Sequence, residues 1–402
     1  MSNETPIPVL MYHTVGIPDK KWKWQHLTCP YQIFEDQMKW LRKRGFVTIT
    51  LNDLYKYIFH QREIPELSVI LTFDDGYADN WIFAYPIMKR YGMKGNIFVN
   101  PEFADKRRIV RKRIDQIESI DELEREDISG FLSWDEMKEC ENEGVFDIQS
   151  HAMSHTWHPV SDRIIDFRHP GDRYIWMTWN DNPDRKPELQ YDDPELINYG
   201  EPVYEFSKSL ESPRYFPNEN ISRSLIEYVK KNGERAFFER ADWKKILLAE
   251  SEELKKEKKP GRYETDEEYR GRIKNELIDS KRIIEEELDK KIDFLCWPGG
   301  SSTETGVEIA REAGYKMTTT GKDLPQPYRE NLLNLPSQKS DRIARISPIL
   351  FWDGRNSKDS RIVYNSGFSL TVKLLQYKRM RLAQYWGKLT LKFLKEFSRV
   401  FR

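Results

Sequence analysis

Asp74 and Asp75, followed by Gly76, stand at the end of the apolar run Ser68–Phe73, which reads as a buried strand. Two ionised carboxylates side by side repel, so the pair persists comfortably where a cation or a shared proton offsets the charge. A second apolar run, Val145–Ile148, leads into Ser150-His151-Ala152-Met153-Ser154-His155. Two imidazoles four residues apart plus one carboxylate make a three-ligand site for a divalent metal, with a coordination position left for water. The spare carboxylate is then placed to take that water's proton. Two histidines and a carboxylate without thiolate suit Zn²⁺ best and also accommodate Co²⁺, Ni²⁺ or Mn²⁺. The chemistry this predicts is metal-assisted hydrolysis.

These stretches resemble the polysaccharide deacetylase family, the NodB-homology group of carbohydrate esterases. Thr72-Phe73-Asp74-Asp75-Gly76 is similar to its first motif, His151-Ala152-Met153-Ser154-His155 to its second, and Cys296-Trp297-Pro298-Gly299-Gly300 to a variant of its third. The opening Val9-Leu10-Met11-Tyr12-His13 is also similar to the start of many members. The resemblance covers roughly residues 6 to 158 and 290 to 350. It implies a distorted (β/α) barrel in which Asp75, His151 and His155 hold the metal and Asp74 is the general base. It further implies that a backbone N–H at Gly299 faces the developing oxyanion. Members that open with a Tyr-His pair take their acid from that histidine, which here is His13. The implied reaction removes the N-acetyl group of an amino sugar in a glycan or lipid-linked glycan precursor. Two other readings stay open: another metal-dependent C–N hydrolase, and a catalytically silent carbohydrate-binding protein.

The departures from the family pattern are specific. No arginine shortly precedes the third motif, where Asp293-Phe294-Leu295 stands. Ala152 replaces the usual Ser or Thr, glycine stands at 299 where members usually carry an aromatic residue, and no histidine follows His169.

The elements that must position these groups follow from alternation. Strands are predicted at Ile7–Tyr12, Phe46–Ile49, Ser68–Phe73, Gly95–Val99, Val145–Ile148, Phe294–Trp297, Tyr315–Thr319 and Arg342–Ile346, with helices such as Tyr31–Arg44 and Asp79–Tyr91 between them. Such alternation predicts a parallel sheet, open or closed into a barrel, whose strand C-termini carry the candidate ligands. Residues 1–158 then form the first part of the barrel, 159–265 an irregular and helical insertion, and 266–350 the second part. Within the insertion, 159–220 lacks periodicity and a helix returns at Ile221–Gly233. Thr265 and Glu268 fit a capping box that opens a helix with Ile273, Leu277, Ile284 and Leu288 on one face.

Across 402 residues the net charge is −1, which gives no global field for nucleic acid. Three scattered cysteines do not make a disulfide framework. The start of the chain lacks a basic, apolar leader, so a cytoplasmic protein is expected. Residues 369–402 read as a basic amphipathic helix: from Leu370 onward nine Lys or Arg accompany a single acid, Glu396. That pattern predicts attachment to an anionic membrane surface, on the inner face.

Overall fold

A computed structural model describes residues 4–19, 21–123, 130–191, 193–259, 261–347 and 366–378. Seven strands carry the architecture: β1 Val9–Tyr12, β2 Ser68–Phe73, β3 Gly95–Val99, β4 Phe146–Ser150, β5 Phe294–Leu295, β6 Met317–Thr319 and β7 Arg342–Ile343. Each pairs in parallel with the next in sequence, so spatial order equals chain order. Just beyond β7, Ile346 bridges back to β1: Met11 N–H donates to the Ile346 carbonyl at 3.0 Å, and Ile346 N–H to that of Val9 at 2.9 Å. Seven parallel strands thus form a nearly closed barrel, as the alternation predicts.

Helices make the crossovers. Tyr31–Lys43, Asn80–Tyr91 (a π-helical turn running into an α-helix), Trp134–Asn142, Asp266–Leu288 and Glu304–Glu312 cover the strands. β2 and β3 are buried along their whole length, which is why they read as mostly apolar runs without alternation. The capping box forms as expected: Glu268 N–H donates to Thr265 Oγ1 and Thr265 N–H to the Glu268 carboxylate at 2.9 Å. From it runs the long helix Asp266–Leu288, burying Ile273, Leu277 and Ile284 against the barrel.

The insertion is more ordered than its sequence suggests. Instead of an irregular segment, Trp157–Phe167 pairs antiparallel with Pro202–Lys208 across two register shifts. Most residues of both strands are only half-buried, so no alternation of apolar and polar residues marks them. Beyond the hairpin, helices Glu219–Lys231 and Trp243–Glu257 enclose a small core of Phe167, Leu225, Val229, Phe237 and Leu247.

The predicted membrane helix meets a different partner over its described part. Helix Gly367–Tyr377 buries Leu370 and Leu374 against the barrel helix Tyr31–Lys43, with Phe368 edge-on to Trp40 at 5.4 Å. Lys378 is buried too and donates to the Pro6 carbonyl at 3.0 Å. These first turns therefore spend their apolar face on the protein itself rather than on lipid. The remainder of that stretch, 379–402, lies outside the described residues. Among the described residues no helix is long and apolar enough to cross a membrane.

Candidate active site

β2 and β4 deliver their histidines and carboxylates by leaving the ladder abruptly. Asp74 N–H still bonds to Tyr12 O at 3.0 Å and His151 N–H to Val99 O at 2.8 Å. Immediately afterwards Asp75 and Ala152 turn left-handed, at φ 71° and 58°, and His155 follows at 39°. Left-handed backbone at non-glycine residues persists only where the surroundings over-determine it. Here the surroundings are visible. Glu276, on helix Asp266–Leu288, accepts from the backbone N–H of Met153 (3.2 Å) and Ser154 (3.1 Å) and from the Ser154 hydroxyl. Lys186, from the insertion and almost fully buried, donates to the Ser154 carbonyl at 3.0 Å and pairs with Glu102. At the other turn, Gly76 has to be glycine, since a Cβ would stand 2.9 Å from Val99 Cγ1.

The strain brings three predicted ligands together. Asp75 Oδ1 lies 3.2 Å from His151 Nε2 and 3.5 Å from His155 Nε2. His151 Nδ1 is 2.8 Å from the Cys296 carbonyl. A carbonyl only accepts, so Nδ1 carries the hydrogen and Nε2 turns its lone pair inward. Asp75 Oδ1 is enclosed without a hydrogen bond of good geometry. An orphaned carboxylate oxygen and two imidazole nitrogens converging on one point fit a divalent cation. Burial opposes ionisation of Asp75, but the two imidazoles beside it outweigh that and hold the carboxyl well below its usual range. Burial also pushes His155 down to about 4, leaving its nitrogen free to ligate at neutral pH. A second trio, Asp74, His151 and Cys296, is equally close but has a guanidinium in its midst, which disfavours a cation there.

That guanidinium is the main group the sequence did not reveal. Arg345 grips Asp74 with both nitrogens, Nη1 to Oδ1 at 2.6 Å and Nη2 to Oδ2 at 2.9 Å. It also stands 3.1 Å from the Cys296 sulfur. The arginine absent before the third motif is supplied from beyond β7 instead. Asp74 is buried, and His13 Nε2 approaches its Oδ2 at 3.9 Å. Burial pushes the Asp74 carboxyl up, yet Arg345, His151 and His13 together bring it below its ordinary value. Asp74 is therefore an anion aimed into the site but not among the three converging donors.

Gly299 lies in the tight turn Pro298–Gly300 after β5, with φ 52°. Its carbonyl accepts from Lys208, at the end of the inserted hairpin, and a Cβ at 299 would collide with that ammonium. Glycine here makes room for a lysine. Beside His155 and Asp75 opens a narrow cleft of about 70 Å³ walled by Trp24, Tyr77, Trp157 and Trp179. Trp179 comes from the insertion, and Trp157 opens the hairpin strand that leads into it.

Residues 61–169 match the family model for polysaccharide deacetylase. This stretch belongs to the polysaccharide deacetylase family. It contains Asp74, Asp75, His151 and His155. YxkH of Bacillus subtilis strain 168, taken to be a polysaccharide deacetylase, is 39% identical over 93 residues, 23% of this chain and 31% of that protein. The poly-β-1,6-N-acetyl-D-glucosamine N-deacetylase of Escherichia coli K12 is 21% identical over 292 residues, 71% of this chain and 30% of its own length. The chain thus spans about a third of the length of the curated relatives it matches. Among solved structures, a de-N-acetylase from Aggregatibacter actinomycetemcomitans superposes with a TM-score of 0.49 at 17% identity, covering 88% of this chain and 97% of that one. Arg345, Gly299 and Lys208 all fall outside the stretch that matches the deacetylase model.

Proposed function

We propose that this chain is a metal-dependent N-deacetylase that hydrolyses the N-acetyl group of an amino sugar within a glycan. The observation that carries the reading is a division of labour between neighbours: Asp75 converges with two imidazoles, while Asp74, 3.9 Å from His13, is held apart by a bidentate arginine. A protein that only bound sugar would have no use for the second, separately oriented carboxylate. The name of the Escherichia coli relative, an N-deacetylase of poly-β-1,6-N-acetyl-D-glucosamine, supports the substrate class.

Asp75, His151 and His155 would hold the cation. When bound, it would supply Lewis acidity, polarising the acetyl carbonyl and acidifying a water. Asp74 takes the proton from the attacking water. Its two oxygens are fixed by Arg345, so no reorganisation is needed as the proton arrives. His13 is the acid that protonates the departing amine, its Nε2 standing 3.9 Å from Asp74 Oδ2. The backbone N–H of Gly299 faces the oxyanion, in a turn pinned by Lys208. The walls of Trp24, Tyr77, Trp157 and Trp179 exclude water and offer flat apolar faces to the acetyl group and sugar ring.

Asp74→Asn tests the assignment. The amide is nearly isosteric and cannot accept the proton. Acetate release from N-acetylated glycans should fall by about 10²–10⁴-fold, with metal content unchanged. His151→Ala should instead lose the metal, as read by elemental analysis of the purified protein. An active Asp74→Asn enzyme would move the base elsewhere, and unchanged metal in His151→Ala would remove the proposed centre.

A further inference from the structure

The insertion encloses a second cavity, of about 430 Å³, that the metal site does not use. That volume lies within the range of small-ligand pockets. Three aromatic rings, Trp176, Tyr204 and Phe216, share its lining with Asp181, Glu201 and Arg214. Trp176 is only 6% exposed, yet its Nε1–H has no hydrogen-bond partner. Glu201 Oε2 and Arg214 Nε are enclosed and equally unmatched. Leaving such groups unmatched in the interior is costly, so three at one cavity point to a ligand that both donates and accepts. A sugar ring does both through its hydroxyls, and its apolar faces suit the aromatic walls.

The charges narrow the class further. Glu201 and Asp181 line the same cavity and repel. Arg168, whose charge acts on both acids, is already committed to Asp172 at 2.7 Å and to Thr178. Burial together with the facing Asp181 pushes Glu201 up to about 7. Arg214 lies over the Phe216 ring at 4.8 Å. Arg223 shares the lining as well, but among the described residues no ion pair joins Glu201 or Asp181 to a cation, so a ligand ammonium can pair with both acids.

The cavity is also coupled in space to the metal cleft. Helix Ile175–Asp181 divides them, with Trp179 on the cleft side and Trp176 and Asn180 on the other. Asn180 ties that partition to the metal motif, accepting from Thr156 Oγ1 at 2.6 Å and donating to the Trp157 carbonyl at 2.9 Å. Thr156 directly follows the candidate ligand His155.

We propose that this cavity binds an amino-sugar residue whose amine is already free, with the ammonium held by Glu201 and Asp181. The ligand class rests on the deacetylase reading of the metal site. The site would retain a partly deacetylated chain while a neighbouring acetylated residue occupies the metal cleft.

Calorimetry of the intact chain with a glucosamine trimer, and with the matching N-acetylglucosamine trimer, tests this. Glu201→Gln should weaken the glucosamine trimer at least tenfold and the acetylated trimer much less. If Glu201→Gln is misfolded by circular dichroism, Trp176→Phe decides instead. It keeps the ring, removes only the unmatched N–H and should weaken the glucosamine trimer about threefold, a loss typical of one hydrogen bond. No binding of the glucosamine trimer by the parent, equal losses on both trimers, or unchanged affinity in the deciding variant overturns the proposal. Acetate release measured on the same parent separates the two readings. Turnover without trimer binding sinks this site alone, whereas trimer binding without turnover sinks the deacetylase reading and leaves the site standing.

Discussion

The barrel and its insertion build one site by opposite means. In the barrel, largely buried parallel strands end in short motifs, and strained turns throw the candidate ligands inward. The insertion contributes half-buried strands and aromatic surface, and it reaches the centre through side chains: Trp179 as a wall, Lys186 and Lys208 as clamps. The difference teaches where function can be read. A group placed by local chain geometry leaves a motif, whereas a group delivered across the fold leaves only a residue.

The largest expected effect falls on Arg345, the barrel's own exception. Arg345→Met would leave Asp74 buried without its bidentate partner, and breaking a buried pair costs about 3–5 kcal/mol. The sign follows from Asp74's lowered folded value: the pair's stabilisation is present above the unfolded carboxyl range and fades as pH falls through the folded one. Without Arg345, burial pushes Asp74 upward, so the acid limb of kcat/KM should move to higher pH and kcat should drop by about 10²-fold or more. A pH–rate profile checks both. An unmoved acid limb would detach Arg345 from the base.

How much of this was legible divides along the same line. Asp74, Asp75, His151 and His155 stood out because their spacing follows two strands that were visible as mostly apolar runs. The barrel order followed from the alternation. Arg345 did not stand out: it lies 271 residues from Asp74 in the chain, beyond a two-residue strand. A one-residue error in register there would turn its side chain to the other face. The hairpin was illegible because a strand covered partly on both faces shows no alternation. Gly299 could be flagged as a departure, but its reason, the Lys208 ammonium in the space of a Cβ, belongs to a distant segment. In the basic stripe after Ser369, apolar periodicity states that a face is covered and not by what. The described turns cover it with helix Tyr31–Lys43.

A smaller effect is expected at Glu276, which acts on the centre from the long helix without touching it. Its carboxylate gathers three donors from Met153 and Ser154 and so fixes the turn that carries His155. Glu276→Gln keeps the shape but weakens the acceptor for both N–H groups. Groups that orient ligands from behind typically contribute 10–100-fold in metal affinity, and a chelator competition should show a loss in that range. An unchanged dissociation constant would mean that the turn holds its strain without help.

Lys186 asks whether the insertion is part of the centre or only its cover. It grips the same residue as Glu276, through the Ser154 carbonyl, with Glu102 as its counter-ion. Lys186→Met retains an apolar stem of similar length but removes one partner of an ion pair, a loss that is largest where the remaining charge cannot reach water. Glu102 is partly exposed and can turn to water. The Ser154 carbonyl loses one donor, so metal affinity should fall by less than in Glu276→Gln, about threefold to tenfold. The double variant sharpens the comparison. Two grips on one residue share a partner, so their effects should couple by at least about 0.5 kcal/mol rather than add. Strict additivity, or a Lys186→Met protein that binds metal like the parent, would make the insertion a wall around a centre that the barrel positions alone.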